Sequence, residues 1–415
     1  MKNIAIIGGG ISGLSIAHCL KEKYQVKVFE KESTPGGLIK CTHVNGNLYH
    51  MVGGHVFNSR HQEILDWFWT FFDKEKEFTK ASRNAVISMA DGRLVGYPIE
   101  NHAYMLDQMM MKNFIYDLTE LIRSNPPCPT NFEEFLQNKF GKTLYDNYFK
   151  PYNEKIWHKK LKDVPLSWLE GKLPMPTIEE IIYNNFNHVK EMNMVHSSFY
   201  YPKLNGSQFI ADRLSEGLDI VYNSDIKRIE RKGKKWIINE FECDKVIFCG
   251  NVKDLPSTLD YSIDISAFIK PIHDLEYHGT TSVLCEITPN PYSWIYMPSS
   301  KHLSHRIICT GNFSLTNNAR GKVSGTIEFT DYISKENIEA NLQLMPFSPK
   351  YLAHQYTQYT YPIQDTNTRI MIDELKKRIQ KENIYLLGRF AEWEYYNMDA
   401  AMGAAIKLSK SLNIM

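Results

Sequence analysis

The sequence predicts an α/β fold: a Rossmann-like unit closed by both ends of the chain, with a mainly helical lobe and an antiparallel β-sheet lobe inserted into it. Three observations predict it. A buried strand, a glycine-rich turn and an amphipathic helix open the chain. A short apolar strand running into a lone glycine recurs near its end. Between them lie helical stretches and then a long alternating stretch. At 415 residues the chain exceeds what one core usually serves.

Taken in order, Lys2–Ile7 is an unbroken apolar run of the kind a parallel strand buries on both faces. Ile11, Leu14, Ile16, Ala17 and Leu20 follow at helical spacing, and Gln25–Phe29 reads as a second strand. Gln62–Phe72 is helical, with Ile64, Leu65, Phe68, Phe71 and Phe72 on one face. Asn84–Met89 and Leu94–Tyr97 flank Asp91-Gly92 as a hairpin. Residues 103–123 and 131–149 are helical, separated by the turn-forming residues 124–130. Residues 219–250 read as three short strands, and 274–330 as β-rich. Residues 335–345 and 371–381 are helical, Ile384–Leu387 is a strand that meets Gly388, and a last helix starts at about Asp399. The expected division is 1–75, 206–265 and 376–415 for the Rossmann-like domain. The helical lobe takes 100–200, and the sheet lobe 76–99 with 266–375.

Basic and acidic residues nearly cancel, 48 against 47. Such a balance gives no general attraction to nucleic acid or an anionic membrane. No apolar run is long enough to span a bilayer, and Ile4–Ile7 leads into glycines rather than a signal-peptide cleavage site. A cytoplasmic protein without membrane insertion is expected. The seven cysteines include no CxxC pair and read as buried, reduced thiols. No metal-ligand spacing, serine–histidine–acid order or paired carboxylates stand out, so no metal is expected.

Gly8, Gly10 and Gly13 form GxGxxG between strand and helix. The first makes the turn, the second lets backbone approach a pyrophosphate, and the third lets helix pack on strand. Ile11 and Ser12 open that helix, whose N-terminus faces phosphate charge. Glu30 ends the second strand, where an acid accepts ribose hydroxyls. Lys31 and Pro35-Gly36-Gly37-Leu38 then resemble the continuation seen in amine-oxidase-type FAD proteins. Ile384-Tyr-Leu-Leu-Gly388-Arg389 resembles the terminal FAD motif of that superfamily. The resemblance implies that Gly36, Gly37, Leu38, Gly388 and Arg389 meet the phosphates or the flavin. No second GxGxxG exists for a separate nicotinamide domain, so NADH or NADPH would have to reduce the flavin from the substrate cleft.

Further motifs narrow the family. They are Gly53-Gly54-His55-Val56-Phe57, the run from Asp91 to Pro98, Pro151-Tyr-Asn-Glu-Lys-Ile-Trp157, and Ser167-Trp-Leu-Glu-Gly-Lys172. Ser293-Trp-Ile-Tyr-Met-Pro298, His305-Arg306, Tyr359-Thr-Tyr-Pro362 and the tail Gly388–Asp399 complete the set. In this order they resemble the UDP-galactopyranose mutase family over nearly the whole chain, closer to its eukaryotic-type form. The resemblance implies an isomerase that interconverts pyranose and furanose nucleotide-diphosphate sugars in polysaccharide biosynthesis. It further implies that reduced FAD serves as nucleophile through N5 with no net redox change.

The resemblance carries roles to particular residues. His55, with Gly54, lies on the flavin face. Arg306 binds the diphosphate, for which a planar guanidinium is suited. Lys172 stands where the family has a second phosphate-binding arginine, keeping the charge without the fork. Tyr361 and Tyr395 donate to the phosphates, and Asn397 and Met398 stand near the flavin and phosphates. Tyr97, Asn153, Trp157, Trp294 and Tyr296 line the substrate pocket. Glu100 departs from the pattern, which has a glutamine-like residue at the uracil edge. A carboxylate only accepts hydrogen bonds, which suits guanine's adjacent N–H donors; a GDP-sugar is therefore weighed beside a UDP-sugar. The rival expectations are a flavin oxidase or dehydrogenase of amine-oxidase or protoporphyrinogen-oxidase type, and a non-catalytic nucleotide-sugar or flavin binder. The sugar stays open, as does a homo-oligomeric state.

Overall fold

The structure, a computed structural model, describes residues 1–124, 126–164, 166, 176–189 and 197–414. Its first sheet is parallel and has the strand order Ile384–Leu386, Lys245–Phe248, Asn3–Ile7, Gln25–Phe29, Ile220–Val221. Strand alternation divides its two faces. Ile4, Ile6 and Ile247 pack beneath helices Ile11–Leu20 and Met398–Ile414, through Ile16, Ala17, Leu20, Ala405 and Leu412. Ala5, Ile7, Val246 and Phe248 pack on the other side against Trp236 and Ile238 of a small three-stranded sheet. Helices Ser266–His273 and Thr368–Gln380 bury Ile272, Leu375 and Ile379 in that same layer. The divisions expected at 265/266 and 375/376 therefore cut through it.

The second sheet has seven strands in the order Lys350–Pro362, Tyr277–Glu286, Ser324–Thr330, Arg306–Ile308, Trp294–Tyr296, Ala85–Ser88, Leu94–Gly96. All pairs are antiparallel except Trp294–Tyr296 with Ala85–Ser88. The cross-strand row Ile295, Ile307, Ile327, Val283 faces helix Lys335–Leu342 and meets Ile338 and Leu342. The adjacent row Tyr296, Arg306, Glu328, Ser282 therefore points the opposite way. That opposite face is also covered by the helical lobe: Ile87, Trp294, Tyr296 and Ile308 share a core with Phe140, Leu144 and Tyr148.

The helical lobe contains Gln108–Ser124, Phe132–Leu144, a π turn at Tyr145–Phe149, and Lys150–Trp157. No helix of the described residues is long and apolar enough to cross a membrane.

Several local readings change. Residues 219–250 hold five strands rather than three, because Gly233 (φ 64°), Asn239 (φ 42°) and Glu240 (φ 65°) turn the chain sharply between short strands. The sheet lobe continues to Lys350–Pro362, its longest strand, whose half-buried pattern hides the alternation. The helix at Gln62 ends at Trp69, three residues early. Cys41–Val44 and Asn47–His50 form a hairpin with no counterpart in the sequence reading. Cys128 is exposed; all seven cysteines are free.

A Cβ at Gly13 would stand 1.9 Å from the Gly8 carbonyl oxygen. That oxygen is fixed backbone, so Gly13→Ala has to push helix Ile11–Leu20 off the sheet. The variant is expected to lose about 1–3 kcal/mol of stability and to purify with much less flavin per chain than wild type. Thermal unfolding and the flavin-to-protein absorbance ratio measure this; wild-type values for both would contradict the packing described.

Candidate active site at the junction of the two sheets

The cofactor cradle fits a dinucleotide. Helix Ile11–Leu20 begins at Gly10 with no side-chain cap and no acid in its first turn, so its leading amides face outward with their positive dipole uncompensated. Gly10 and Gly37 face each other: a Cβ on either would meet only the other's Cα, at 3.9 and 3.4 Å. Backbone lines this space, as close approach of a pyrophosphate requires. Gly36 bonds to the Gly9 carbonyl at 3.0 Å, joining the second glycine turn to the first. Gly388 (φ 108°) seats against Ser12, where a Cβ would come within 2.7 Å of Oγ. Glu30 is buried and accepts from the amides of Gly9 (2.6 Å) and Glu32 (2.9 Å). Its carboxylate has further lone pairs for ribose hydroxyls. Lys31 is exposed beside it.

At the inner edge of the cradle stands His55. One ring nitrogen bonds to the Leu38 backbone, tying the Gly-Gly-His loop to the Gly36-Gly37 turn. Nε2 is buried and without a partner. Burial, helped by the charge on Arg389, pushes the imidazole down to about 4. His55 is thus neutral at working pH and keeps one buried ring nitrogen unpaired. Such an orphan is what a flavin edge would satisfy.

Opposite lies the charged row of the second sheet. Arg306 pairs with Glu328, its cross-strand neighbour, through Nε. Glu328 is 1% exposed. Burial alone would raise its carboxyl, but the Arg306 charge and a hydrogen bond from His305 outweigh this and hold it at about 2. Arg306 Nη2 donates to Tyr361 Oη at 3.0 Å. Tyr361 stacks on Tyr395, with centroids 5.6 Å apart and planes 9° from parallel. The Arg389 guanidinium lies 4.4 Å over the Tyr395 ring. Arg389 donates to the Tyr396 and Thr360 carbonyls, which fix its guanidinium and leave one N–H on each terminal nitrogen. Arg306, Tyr361, Tyr395 and Arg389 form one continuous line from the sheet lobe to the cofactor layer.

The third wall is aromatic, and its centre is a residue absent from the sequence reading. Arg83 donates through Nη2 to Tyr296 Oη, and its guanidinium lies 5.0 Å from the Tyr97 ring and 5.1 Å from Trp294. Its Nε is buried without a partner. Among the described residues no carboxylate forms an ion pair with it. A buried cation held only by ring faces and a phenol calls for an anion. Tyr97 packs on Tyr296 at 4.5 Å, and Tyr152 meets Tyr296 edge-on at 5.6 Å and stacks on Tyr148. Burial raises the Tyr152 and Tyr361 phenols, which stay protonated donors.

The remaining candidates fall into place unevenly. Trp294 is buried against Phe199 and Phe313, so much of it is core. Asn153 Nδ2 is held on the Phe149 carbonyl of its own helix at 2.7 Å. Trp157 is buried in the lobe core. Glu100 is buried in the turn Ile99–Asn101, its carbonyl held by Asn185 Nδ2 at 2.6 Å, and its charge acts on Tyr148. Asn397 is exposed, and its carbonyl accepts from Ala401 in the first turn of the final helix, which Met398 opens. Lys172 lies outside the described residues. Arg83, Tyr152 and Glu328 escape sequence reading for different reasons. Tyr148 and Tyr152 do share a helix face at i, i+4, but the partners of Arg83 and Glu328 are remote in sequence.

Removing one partner of a buried ion pair leaves the other charge stranded. Glu328→Gln is expected to cost about 3 kcal/mol at neutral pH. The folded carboxyl sits near 2 against an ordinary 4.5. The contribution of the pair is therefore complete above 4.5 and lost as pH falls toward 2. Urea denaturation of both proteins across that window should show the gap narrowing with acid; a gap independent of pH would contradict the assignment.

A family model described as an NAD(P)-binding Rossmann-like domain matches residues 6–74. The chain is 21% identical to UDP-galactopyranose mutase of Mycoplasma genitalium, over 99% of this chain and 94% of that protein. It is 28% identical to a probable UDP-galactopyranose mutase of Klebsiella pneumoniae, over 45% of this chain; the match spans about half (48%) of that relative's length. Among solved structures, a reduced UDP-galactopyranose mutase superposes with a TM-score of 0.86 at 22% identity, covering 100% of this chain and 96% of the other. In sequence over nearly its whole length, and in fold, the chain is similar to UDP-galactopyranose mutases.

Proposed function

We propose that this protein interconverts the pyranose and furanose forms of a nucleotide-diphosphate sugar with reduced FAD bound. The observation that carries the reading is the pair of guanidiniums, Arg83 and Arg306, close enough for the charge of Arg306 to act on both Arg83 and His55. Ring isomerisation at an anomeric carbon needs the diphosphate to leave and return. Two cations in a low-dielectric cleft lower the cost of the charge that develops on it. The phenols of Tyr361 and Tyr395 add donors without adding charge. Neutral His55 holds its place between cofactor and sugar by hydrogen bonds alone. Tyr97, Tyr152 and Tyr296 close the cleft against water, which would otherwise intercept the activated sugar. The flavin, when bound and reduced, supplies the nucleophile at N5. NADH or NADPH entering the same cleft is the reductant we favour.

Glu100 supports a second reading of the nucleotide. Its carboxylate is buried beside Tyr148 and can only accept, which favours a guanine edge over uracil. The substrate is then a GDP-sugar in place of a UDP-sugar.

Dithionite-reduced protein is expected to convert a furanose nucleotide sugar to its pyranose, while the oxidised protein is inactive. Arg83→Gln should lower kcat/KM by about 100-fold, as loss of a charge-assisted contact to the diphosphate. Activity independent of flavin reduction would overturn the mechanism, and stoichiometric peroxide release would favour a flavin oxidase. Side-by-side titration with UDP and GDP settles the base: tighter UDP binding by about tenfold, 1.4 kcal/mol, ends the guanine reading.

A further inference from the structure

Where the end of helix Lys150–Trp157 meets the second sheet, three side chains remote in sequence converge. His158 caps helix Lys150–Trp157 in the left-handed conformation (φ 49°). His278 lies in strand Tyr277–Glu286, and Asp331 (φ 60°) just follows strand Ser324–Thr330. Asp331 Oδ2 stands 3.0 Å from His278 Nδ1 and 3.3 Å from His158 Nδ1. The three potential ligand atoms all lie within 4.8 Å of one another. Asp331 Oδ1 is separately engaged, accepting from the Gly279 amide at 2.7 Å.

His278 Nε2 faces the Trp157 carbonyl at 3.1 Å, and a carbonyl only accepts, so Nε2 carries a proton. That leaves Nδ1 as the ligand atom of the ring, 3.0 Å from the Asp331 carboxylate. Zinc bonds of about 2.0–2.1 Å in tetrahedral geometry put ligand atoms about 3.3 Å apart, close to both separations seen here. The Nε2–carbonyl bond is also the outer contact that orients a metal-binding histidine. His158 and Asp331 are 49% and 37% exposed, so solvent can complete the shell.

We propose that His158, His278 and Asp331 form a site for a divalent transition metal of the zinc class, with water as the remaining ligand. The site joins two walls of the cleft. His158 directly follows Trp157 on the helix that carries Tyr152, and His278 is the cross-strand partner of Tyr361. A bound metal staples that helix end to the strand beneath Tyr361.

The test is calorimetric titration of chelator-treated, flavin-loaded full-length protein with zinc alone. One zinc per chain with micromolar or tighter affinity is expected. His278→Gln and Asp331→Asn should each weaken it at least tenfold. His158→Asn, a residue that tolerates the left-handed backbone, removes one imidazole with least risk to folding and should do the same. Cobalt in place of zinc should give the intense visible bands of a four-coordinate ion. No saturable binding to the wild-type protein overturns the proposal, as does binding that all three variants leave unchanged.

Discussion

The Arg306–Glu328 pair is the constraint on which the candidate site depends. Two short antiparallel strands place these residues directly opposite each other, on the face of the sheet turned away from its helix. Burying either charge alone would be prohibitive, and burying them together fixes one orientation of the guanidinium. Nε goes to Glu328, which leaves Nη2 for Tyr361. Tyr361 sets Tyr395 by stacking, and Arg389 clamps Tyr395 from the cofactor side. The geometry of the cleft thus propagates from one ion pair across the lobe boundary. Glu328 is the residue that makes Arg306 rigid rather than merely charged.

Arg83 is the counterpart. Its charge is balanced by no described acid and rests against aromatic faces. Desolvated contacts of this kind are worth about 2 kcal/mol each, against a cost of several kcal/mol for taking a charge out of water. The arrangement is costly to the free protein and favourable once an anion arrives. Storing cost at a site in this way is a common signature of ligand binding. The resemblance would put Lys172, a cation without the planar fork, where the family has its second arginine. Arg83 offers a planar guanidinium from the short link between strands Phe78–Ser82 and Ala85–Ser88.

Much of the fold was legible because its rules are local. Gly8, Gly10, Gly13 and Glu30 are spaced by the geometry of a single βαβ unit, and the last strand and glycine repeat that logic at Gly388. His55, Arg306, Tyr361 and Tyr395 were legible through resemblance, and the structure brings them to one cleft. What was not legible is pairing across distance. Nothing near Arg306 in sequence marks Glu328 as its partner, and nothing near Arg83 marks Tyr296. The five strands between 219 and 250 were hidden because the strands are only two to four residues long and one of the turns between them passes through Glu240, a residue type that carries no turn signal. His158, His278 and Asp331 lack any ligand spacing because register, not sequence, assembles them.

The central claim is that this cleft is built for a diphosphate held between two guanidiniums. Calorimetry of the flavin-loaded protein with a nucleoside diphosphate and with its parent nucleoside tests it most directly. Two charge-assisted contacts, at about 1.5–3 kcal/mol each, should make the diphosphate at least ~100-fold tighter. That advantage should shrink with rising salt. A nucleoside that binds as tightly as its diphosphate would contradict the account.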